Sequence, residues 1–151
     1  MSFIVRPVKP EDYEPWLSLW HGYNAFYGRS ATTALPAEVT QATWTRFFDP
    51  VEFMHALVAV EDGQAIGIAH YLFHRSTSAL DMSCYMQDLY VVPNRRGGGI
   101  ARALIEAVYA AARLAGTHRV YWHTHETNRT AQTLYDRIAQ KSGFIVYRHL
   151  V

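Results

Sequence analysis

Residues 89–101 constrain the fold of this chain more than any other part of its sequence. An apolar run ending at Val92 leads into the turn residues Pro93 and Asn94 and then into three glycines at positions 97–99. An alanine- and leucine-rich run follows as far as Gly116. That order predicts a buried strand, a tight turn and a helix. Glycine backbone can approach an anion closely, and the free amides of a helix N-terminus attract negative charge. The segment therefore predicts a site for a phosphate or pyrophosphate group.

Two well-known phosphate-binding loops do not fit these residues. A Walker loop ends in Gly-Lys-Ser or Gly-Lys-Thr, and no lysine occurs near the glycines. A dinucleotide fingerprint needs a small residue where Arg102 stands and an acidic residue about twenty positions further on. The chain has Thr117 and His118 there instead. Both functions are disfavoured, while a merely flexible glycine turn stays open as an alternative.

The remaining segments predict one α/β domain over residues 1–151. Short apolar runs predict strands at residues 3–8, 53–60, 65–73, 82–92, 119–123 and 144–150, with a hairpin turn at Asp62-Gly63. Apolar periodicity and composition predict helices at residues 13–28, 37–48, 99–115 and 128–139. Strands gathered in the first half, and strands alternating with helices in the second, predict a mixed sheet with helices on both faces.

Charge and cysteine content exclude several classes of partner. Fourteen basic against thirteen acidic residues give a net charge of +1, so no nucleic acid or membrane partner is expected. Cys84 is the lone cysteine, and His123 and His125 lack a second group of ligands, so no metal is expected. The N-terminal residues do not show the positively charged and then apolar pattern of a signal peptide. No apolar run reaches the length of about 18 residues that a membrane-spanning helix needs. A cytoplasmic protein is therefore expected.

Two segments resemble the GNAT family of N-acetyltransferases. The family's acetyl-CoA signature, Arg/Gln-x-x-Gly-x-Gly/Ala, is fitted by Arg96-Gly97-Gly98-Gly99-Ile100-Ala101. The family's Asn-x-x-Ala-x-x-Leu-Tyr and Gly-Phe region is similar to residues 128–135 together with Ser142-Gly143-Phe144. The resemblance is clear over residues 82–147. It implies the GNAT fold, with a mixed, mostly antiparallel sheet of six or seven strands, and it implies a homodimer.

The resemblance also implies an enzyme that transfers the acetyl group of acetyl-CoA directly to a primary amine of a small molecule. Candidate acceptors are a polyamine, an amino acid or a thialysine-like compound. A strand would pair with the pantetheine arm, and its implied residues are Leu89, Tyr90 and Val91. A turn would hold the pyrophosphate, and its implied residues are Arg96, Gly97, Gly98, Gly99, Ile100, Ala101 and Arg102.

Two residues of the second segment carry implied roles as well. Asn128 would touch the cofactor, and Tyr135 would face its sulfur and protonate the departing thiolate. Seven-residue spacing puts both on one face of a helix. A helix N-cap for Asn128 and a core aromatic for Tyr135 are common alternatives.

The base that removes the proton of the amine is the open part of this interpretation. Asp88 is the only acid in the central strand, whereas related polyamine and thialysine acetyltransferases often have glutamate where Gln87 stands. Neighbours on a regular strand point to opposite faces, so Asp88 is not expected to replace a glutamate at position 87 directly. Water or another residue could serve instead. Two alternative functions stay open: an acyl-CoA-binding module with a GNAT fold, and a protein-lysine acetyltransferase.

Overall fold

A computed structural model describes residues 2–151. Its strands are β1 (Ile4–Pro7), β2 (Met54–Glu61), β3 (Gln64–His74), β4 (Ser83–Val91) and β5 (Val120–Tyr121); its helices are α1 (Tyr13–Phe26), α2 (Ala37–Arg46), α3 (Ile100–Leu114) and α4 (Arg129–Ile138). The strands lie side by side in chain order. Their neighbours are antiparallel except for the parallel pair β4 and β5. The expected mixed, mostly antiparallel sheet is confirmed, with five strands in the described chain rather than six or seven.

The hairpin between β2 and β3 forms where the sequence predicts it. Asp62 and Gly63 have φ angles of 50° and 75°. A two-residue hairpin turn with positive φ at both positions matches the right-handed twist of the strands it joins. Asp-Gly is one of the sequences that tolerate this conformation, so the turn fixes the register of the hairpin.

One face of the sheet packs against α3 through an aliphatic core. Ile100, Leu104, Ile105, Val108 and Ala112 form the buried stripe of the helix. Their spacing of three to four residues is that of one helix face. The helix ends in a Schellman motif, because the amide of residue 117 donates to the carbonyl of Ala112 and position 116 is a glycine with a φ of 79°. Helix α4 borders the same core.

The opposite face packs against α1 and α2 through an aromatic core. Trp16, Trp20 and Tyr23 of α1 are buried over Val58 and Ile68 of the sheet. The indole rings of Trp16 and Trp20 are stacked with centroids 5.7 Å apart. Large aromatic rings fill this layer with few side chains and direct a few polar atoms into it. Helices on both faces of the sheet, as predicted, are confirmed.

A β-bulge interrupts the pairing of β3 with β4. His70 lies opposite Asp88, but the next residue, Tyr71, lies opposite Met86, so Gln87 is the extra residue. A bulge breaks the strict alternation of side chains along a strand. The expectation that Gln87 and Asp88 point to opposite faces is therefore wrong, because both line one cavity on the α1 side of the sheet.

The C-terminal end departs from the prediction. Residues 144–150 were expected to form a last strand, but within residues 2–151 this segment pairs with no other strand. Strand β5 is also shorter than the predicted residues 119–123, and it pairs only with Cys84 and Tyr85 of β4. A strand needs a neighbour to satisfy its backbone groups. The apolar sequence of the segment is strand-like, yet the described chain does not supply that neighbour.

Candidate active site

The glycine turn forms an open cradle at the start of α3. Gly97 and Gly99 have φ angles of 82° and 83°, a region that side chains rarely adopt. A Cβ at either position would meet no atom within 4 Å, so this side of the turn is free space. The amide of Ala103 donates to the carbonyl of Gly99 at 3.0 Å, which leaves the amides of residues 100–102 without an acceptor inside the helix. The cradle therefore presents backbone donors to an anion.

Arginine side chains fasten this turn to the sheet. The Nε of Arg96 donates to the carbonyl of Val91 at 2.9 Å, and its guanidinium lies 5.6 Å from the ring centre of Tyr90. Arg95 forms an ion pair with Glu61 at the end of β2, and the hydrogen bond from Arg95 lowers the pKa of that carboxyl. Arg102 pairs with Glu106 on the exposed side of α3. The side chains of Arg95 and Arg96 thus orient the turn, whose backbone faces outward.

Strand β4 has an open edge next to the cradle. Beyond Tyr85, where the pairing with β5 stops, residues 86–91 have no second neighbouring strand in the described part of the chain. Leu89 and Val91 pack towards α3, while Tyr90 packs on α1. A Cβ at Gly22 would come within 2.5 Å of the Tyr90 hydroxyl, so glycine permits this approach. The backbone of residues 89–91 is available to pair with an extended ligand.

Helix α4 carries Asn128 at its N-cap and Tyr135 in its second half. The Oδ1 of Asn128 accepts from the amide of Ala131 at 3.4 Å, which is the N-cap role named above as an alternative. Tyr135 is half-buried, and its ring packs edge-on against Trp122 at 5.3 Å. Burial, and secondarily the neighbouring Tyr27, raise the pKa of Tyr135 to about 12. Tyr135 therefore keeps its proton at neutral pH.

A buried polar relay joins α1, β3 and β4. The indole Nε1 of Trp16 donates to His70 Nε2 at 2.9 Å, and His70 Nδ1 lies 2.9 Å from Asp88 Oδ2. An indole N–H can only donate, so His70 Nε2 must accept and the ring proton belongs on Nδ1, where it is donated to Asp88. The side chains of His70 and Asp88 are only 5 % and 11 % exposed. The relay holds the Asp88 carboxylate in one orientation.

Asp88 opens into a cavity of about 70 Å³ walled by aromatic rings. Gln87, Trp20 and Phe47 line it together with Asp88 and His70. Tyr23 is a neighbour of the carboxylate. Burial, and then the charge of Asp88, raise the pKa of Tyr23 well above its ordinary value. One carboxylate among aromatic faces is a suitable environment for an ammonium group.

His70 is the member of this site that the sequence analysis did not single out. A signal was present: His70 follows Ile68 by two residues and so shares its face in an otherwise apolar strand. A histidine on a buried face needs partners for both ring nitrogens. His123 and His125 bond separately to Tyr85 and Thr127. Residues 2–151 contain no group of three or more potential metal ligands.

Residues 16–139 match the sequence profile of the Acetyltransferase (GNAT) family. The chain belongs to the GNAT family. Among its relatives, the D-amino-acid N-acetyltransferase HPA3 of Saccharomyces cerevisiae is 40 % identical over 147 residues, which cover 96 % of this chain and 89 % of the relative. The thialysine N-epsilon-acetyltransferase of Caenorhabditis elegans is 25 % identical over 152 residues, covering 97 % and 91 %.

The GNAT fold is also found in solved structures. The aminoglycoside N-acetyltransferase AAC(6')-Iy, in complex with a bisubstrate analog, superimposes with a TM-score of 0.84 at 18 % identity, covering 100 % of this chain and 99 % of the other. Family membership and the relatives show that this GNAT protein is an acetyl-CoA-dependent N-acetyltransferase. None of the helices in residues 2–151 is both long and apolar enough to cross a membrane.

Proposed function

We propose that the enzyme acetylates the primary amine of a small molecule, with amino acids as the leading class of acceptor. The observation that carries this proposal is the buried Asp88 carboxylate in an aromatic cavity beside the open edge of β4. The cavity is small, so it suits the amine end of an acceptor rather than a bulky group. The relationship to a D-amino-acid N-acetyltransferase supports amino acids over polyamines.

Acetyl-CoA fits the other half of the site. The turn amides of residues 97–102 would hold the pyrophosphate, because the cradle is open where a Cβ would stand. The backbone of Leu89, Tyr90 and Val91 would pair with the pantetheine arm along the open edge. Asn128 would contact the cofactor from the start of α4, although its Oδ1 already caps that helix. When bound, acetyl-CoA supplies an activated acetyl group as a thioester.

Asp88 is the proposed base. An alkyl amine has a pKa of about 10.4 and reaches the site mainly as an ammonium ion. The carboxylate would attract this cation and take its proton, and the free nitrogen would then attack the thioester carbonyl. The first proton passes from Asp88 to solvent before the attack. A C–N bond then forms as the C–S bond breaks, and Asp88 takes the second proton that the nitrogen loses as it becomes an amide. The amide of a residue near Val91 would stabilise the oxyanion.

Tyr135 is the proposed acid. Its hydroxyl would donate a proton to the departing thiolate, and solvent would restore that proton. A pKa of about 12 makes Tyr135 a weak acid but keeps it protonated over the whole working range. Hydrogen bonding to the developing negative charge on sulfur is therefore its main contribution. No acyl-enzyme is required, because the amine attacks the thioester directly.

The relay from Trp16 through His70 gives Asp88 its orientation. His70 donates to one carboxylate oxygen, Oδ2, and so fixes the plane of the carboxylate. Both nitrogens of the imidazole are engaged, so His70 is a positioning residue rather than the base. A fixed carboxylate lowers the cost of reaching the reactive geometry.

Three expectations stay predictions from the sequence: that residues 1–151 form one GNAT domain, that the protein is a homodimer, and that it is cytoplasmic.

The deciding experiment is an acceptor panel with release of free thiol as the readout. The panel contains matched D- and L-amino acids, a polyamine, thialysine and a lysine-containing peptide, with acetyl-CoA alone as the background. We expect turnover with amino acids and less with the peptide. Turnover with the peptide alone would make the chain a protein-lysine acetyltransferase. No turnover, while acetyl-CoA at about 100 times its Kd stabilises the fold by roughly 2.7 kcal/mol, would leave only a binding module.

A further inference from the structure

The C-terminal end of α1 turns back on the helix and fixes the position of Arg29. The amide of Arg29 donates to the carbonyl of Asn24 at 2.9 Å, and the amide of Gly28 donates to the carbonyl of Ala25 at 3.0 Å. These two bonds form a Schellman motif, and Gly28 supplies the left-handed residue that the motif needs, with a φ of 76°. The chain therefore leaves the helix with Arg29 folded back beside the last turn of α1.

The side chain of Arg29 is held at one nitrogen and free at the other two. Its Nε donates to Asn24 Oδ1 at 2.7 Å, and the Nδ2 of Asn24 donates to the carbonyl of Trp20 at 2.9 Å. Asn24 is only 3 % exposed, so these bonds satisfy a buried amide. The bond to Asn24 is the only side-chain hydrogen bond that Arg29 makes within residues 2–151. The N–H groups of Nη1 and Nη2 are therefore open, and such a planar fork matches the two oxygens of a carboxylate.

Two tyrosine rings lie against the guanidinium of Arg29. Its central carbon is 5.4 Å from the ring centre of Tyr27 and 5.9 Å from that of Tyr23. Aromatic faces attract a cation and displace part of its water. The residue as a whole is half-buried. An ion pair formed by a partly desolvated arginine is stronger than one formed in open water.

Tyr23 also connects Arg29 with the cavity of Asp88. The ring of Tyr23 stacks on Trp20 with centroids 5.6 Å apart, and Trp20 lines that cavity. Burial and the charge of Asp88 raise the pKa of Tyr23, while the charge of Arg29 opposes that shift. Tyr23 is thus within electrostatic reach of both charges. A carboxylate on one side and a guanidinium on the other are complementary to an acceptor that carries both an amine and a carboxylate.

We propose that Arg29 determines acceptor specificity, its Nη1 and Nη2 binding the carboxylate of an amino acid whose amine lies at Asp88. This inference rests on the proposed function, which it narrows to acceptors that carry a carboxylate. A polyamine has no such group, and Arg29 would repel its additional positive charges. Arg29 takes no part in the transfer of protons. Its loss should therefore raise the KM for the acceptor and change kcat little.

The test compares the most active amino acid with its own carboxamide as acceptor, in the wild type and in variants of Arg29. The carboxamide has a less basic amine, because a neighbouring negative charge is gone, but this difference is common to all variants and cancels in the ratio of their KM values. We expect Arg29→Gln to raise the KM for the amino acid roughly tenfold to a hundredfold, and the KM for the carboxamide less than about twofold.

Two further variants sharpen the comparison. Arg29→Lys keeps the charge but loses the fork, so the KM for the amino acid should rise less than in Arg29→Gln. Arg113→Gln is the matched control, because it removes an exposed positive charge from the last turn of α3. It should leave the KM values of both acceptors unchanged.

Three results would overturn the inference. Equal losses for both acceptors, together with lower thermal stability, would mean that Arg29 only supports the end of α1. A raised KM for acetyl-CoA in Arg29→Gln would mean that the fork binds a phosphate of the cofactor. Turnover of polyamines but not of amino acids by the wild type would leave only the acetylation of small amines standing.

Failure of the proposed function itself gives a different result, since no amine would then be acetylated. Calorimetric titration of the amino acid and its carboxamide, in the presence of CoA, still decides the inference in that case. Tighter binding of the amino acid to the wild type than to Arg29→Gln supports it. Equal binding to the two proteins overturns it.

Discussion

The two faces of the sheet carry cores of different chemistry. The α3 face is dominated by aliphatic side chains, with fully buried Leu104, Ile105 and Val108, and the glycine turn opens at its edge. The α1 face is aromatic and encloses polar atoms, with the Trp16–His70–Asp88 relay at its centre. On the first side the open donors are backbone amides, while on the second the polar groups belong to side chains.

In the proposed function, this difference would separate cofactor binding from acetyl transfer. A backbone cradle recognises a group common to all acyl-CoA molecules, and it depends on conformation more than on side-chain identity. A buried carboxylate fixed by a histidine can be specific for one reacting amine, and it depends on individual atoms. Substitutions on the α1 face should therefore change the rate of acetyl transfer, and those at the turn should change the affinity for acetyl-CoA.

The largest effect is expected for Asp88→Asn. The amide keeps the shape of the side chain and can still accept from His70, but it cannot take a proton from the amine. Loss of a general base lowers kcat/KM for the amine by roughly 10²- to 10⁴-fold. Steady-state kinetics check the rate, and titration should show unchanged binding of acetyl-CoA. Asp136→Asn removes an exposed carboxylate and serves as the control. Equal rates in Asp88→Asn and the wild type would remove Asp88 from the chemistry.

Tyr135→Phe should lower kcat by about 10²-fold. This is a small loss for a general acid, because a thiolate needs less protonation to depart than an alkoxide or an amine does. Since the pKa of Tyr135 is raised to about 12, its proton is present throughout the range from about pH 6 to pH 10. The loss should be the same at each pH in that range, measured with chemistry rate-limiting. Tyr109→Phe is the control, because its hydroxyl only donates to the Ile138 carbonyl at 3.1 Å. A loss that varies with pH, or no loss at all, contradicts this role.

The conformation of the proposed cofactor half of the site was predictable from sequence because it is local. Residues 89–102 form a strand, a turn and a helix without interruption, and positive φ at Gly97 and Gly99 explains why glycine is needed there. The acceptor half was only partly predictable, because Trp16 and His70 are 54 residues apart and meet through tertiary packing. The bulge at Gln87 reversed the expected facing of Asp88, and a one-residue insertion leaves no clear mark in hydrophobic periodicity.

Secondary structure was predictable for a similar reason, with one exception. The hairpin at Asp62-Gly63 and helix α3 carry their own turn and cap residues, and both form as expected. The last strand failed although residues 144–150 have strand-like composition. The composition of a segment indicates that it favours strand pairing. It does not indicate which strand is its neighbour, because that depends on the whole fold or on another chain.

Gly99→Ala should act on the turn alone. A Cβ at φ 83° costs about 1–2 kcal/mol and would enter the space assigned to the pyrophosphate. We expect the KM for acetyl-CoA to rise about tenfold, which corresponds to roughly 1.4 kcal/mol, with kcat nearly unchanged. Gly116→Ala imposes the same strain at φ 79° beyond the far end of α3, so it should lower stability to a similar extent without changing KM. A similar KM increase in both variants would show that strain, and not the cradle, is responsible.

The smallest effect separates two substitutions at one position. In His70→Asn the amide nitrogen can replace Nδ1 as donor to Asp88, whereas in His70→Gln the longer side chain places its polar atoms nearer Trp16. Losing one hydrogen bond to the carboxylate is worth about 1 kcal/mol, so kcat/KM should fall about fivefold in His70→Gln and less in His70→Asn. Equal losses of kcat/KM in both variants, with matching losses of thermal stability, would mean that His70 only fills the aromatic core.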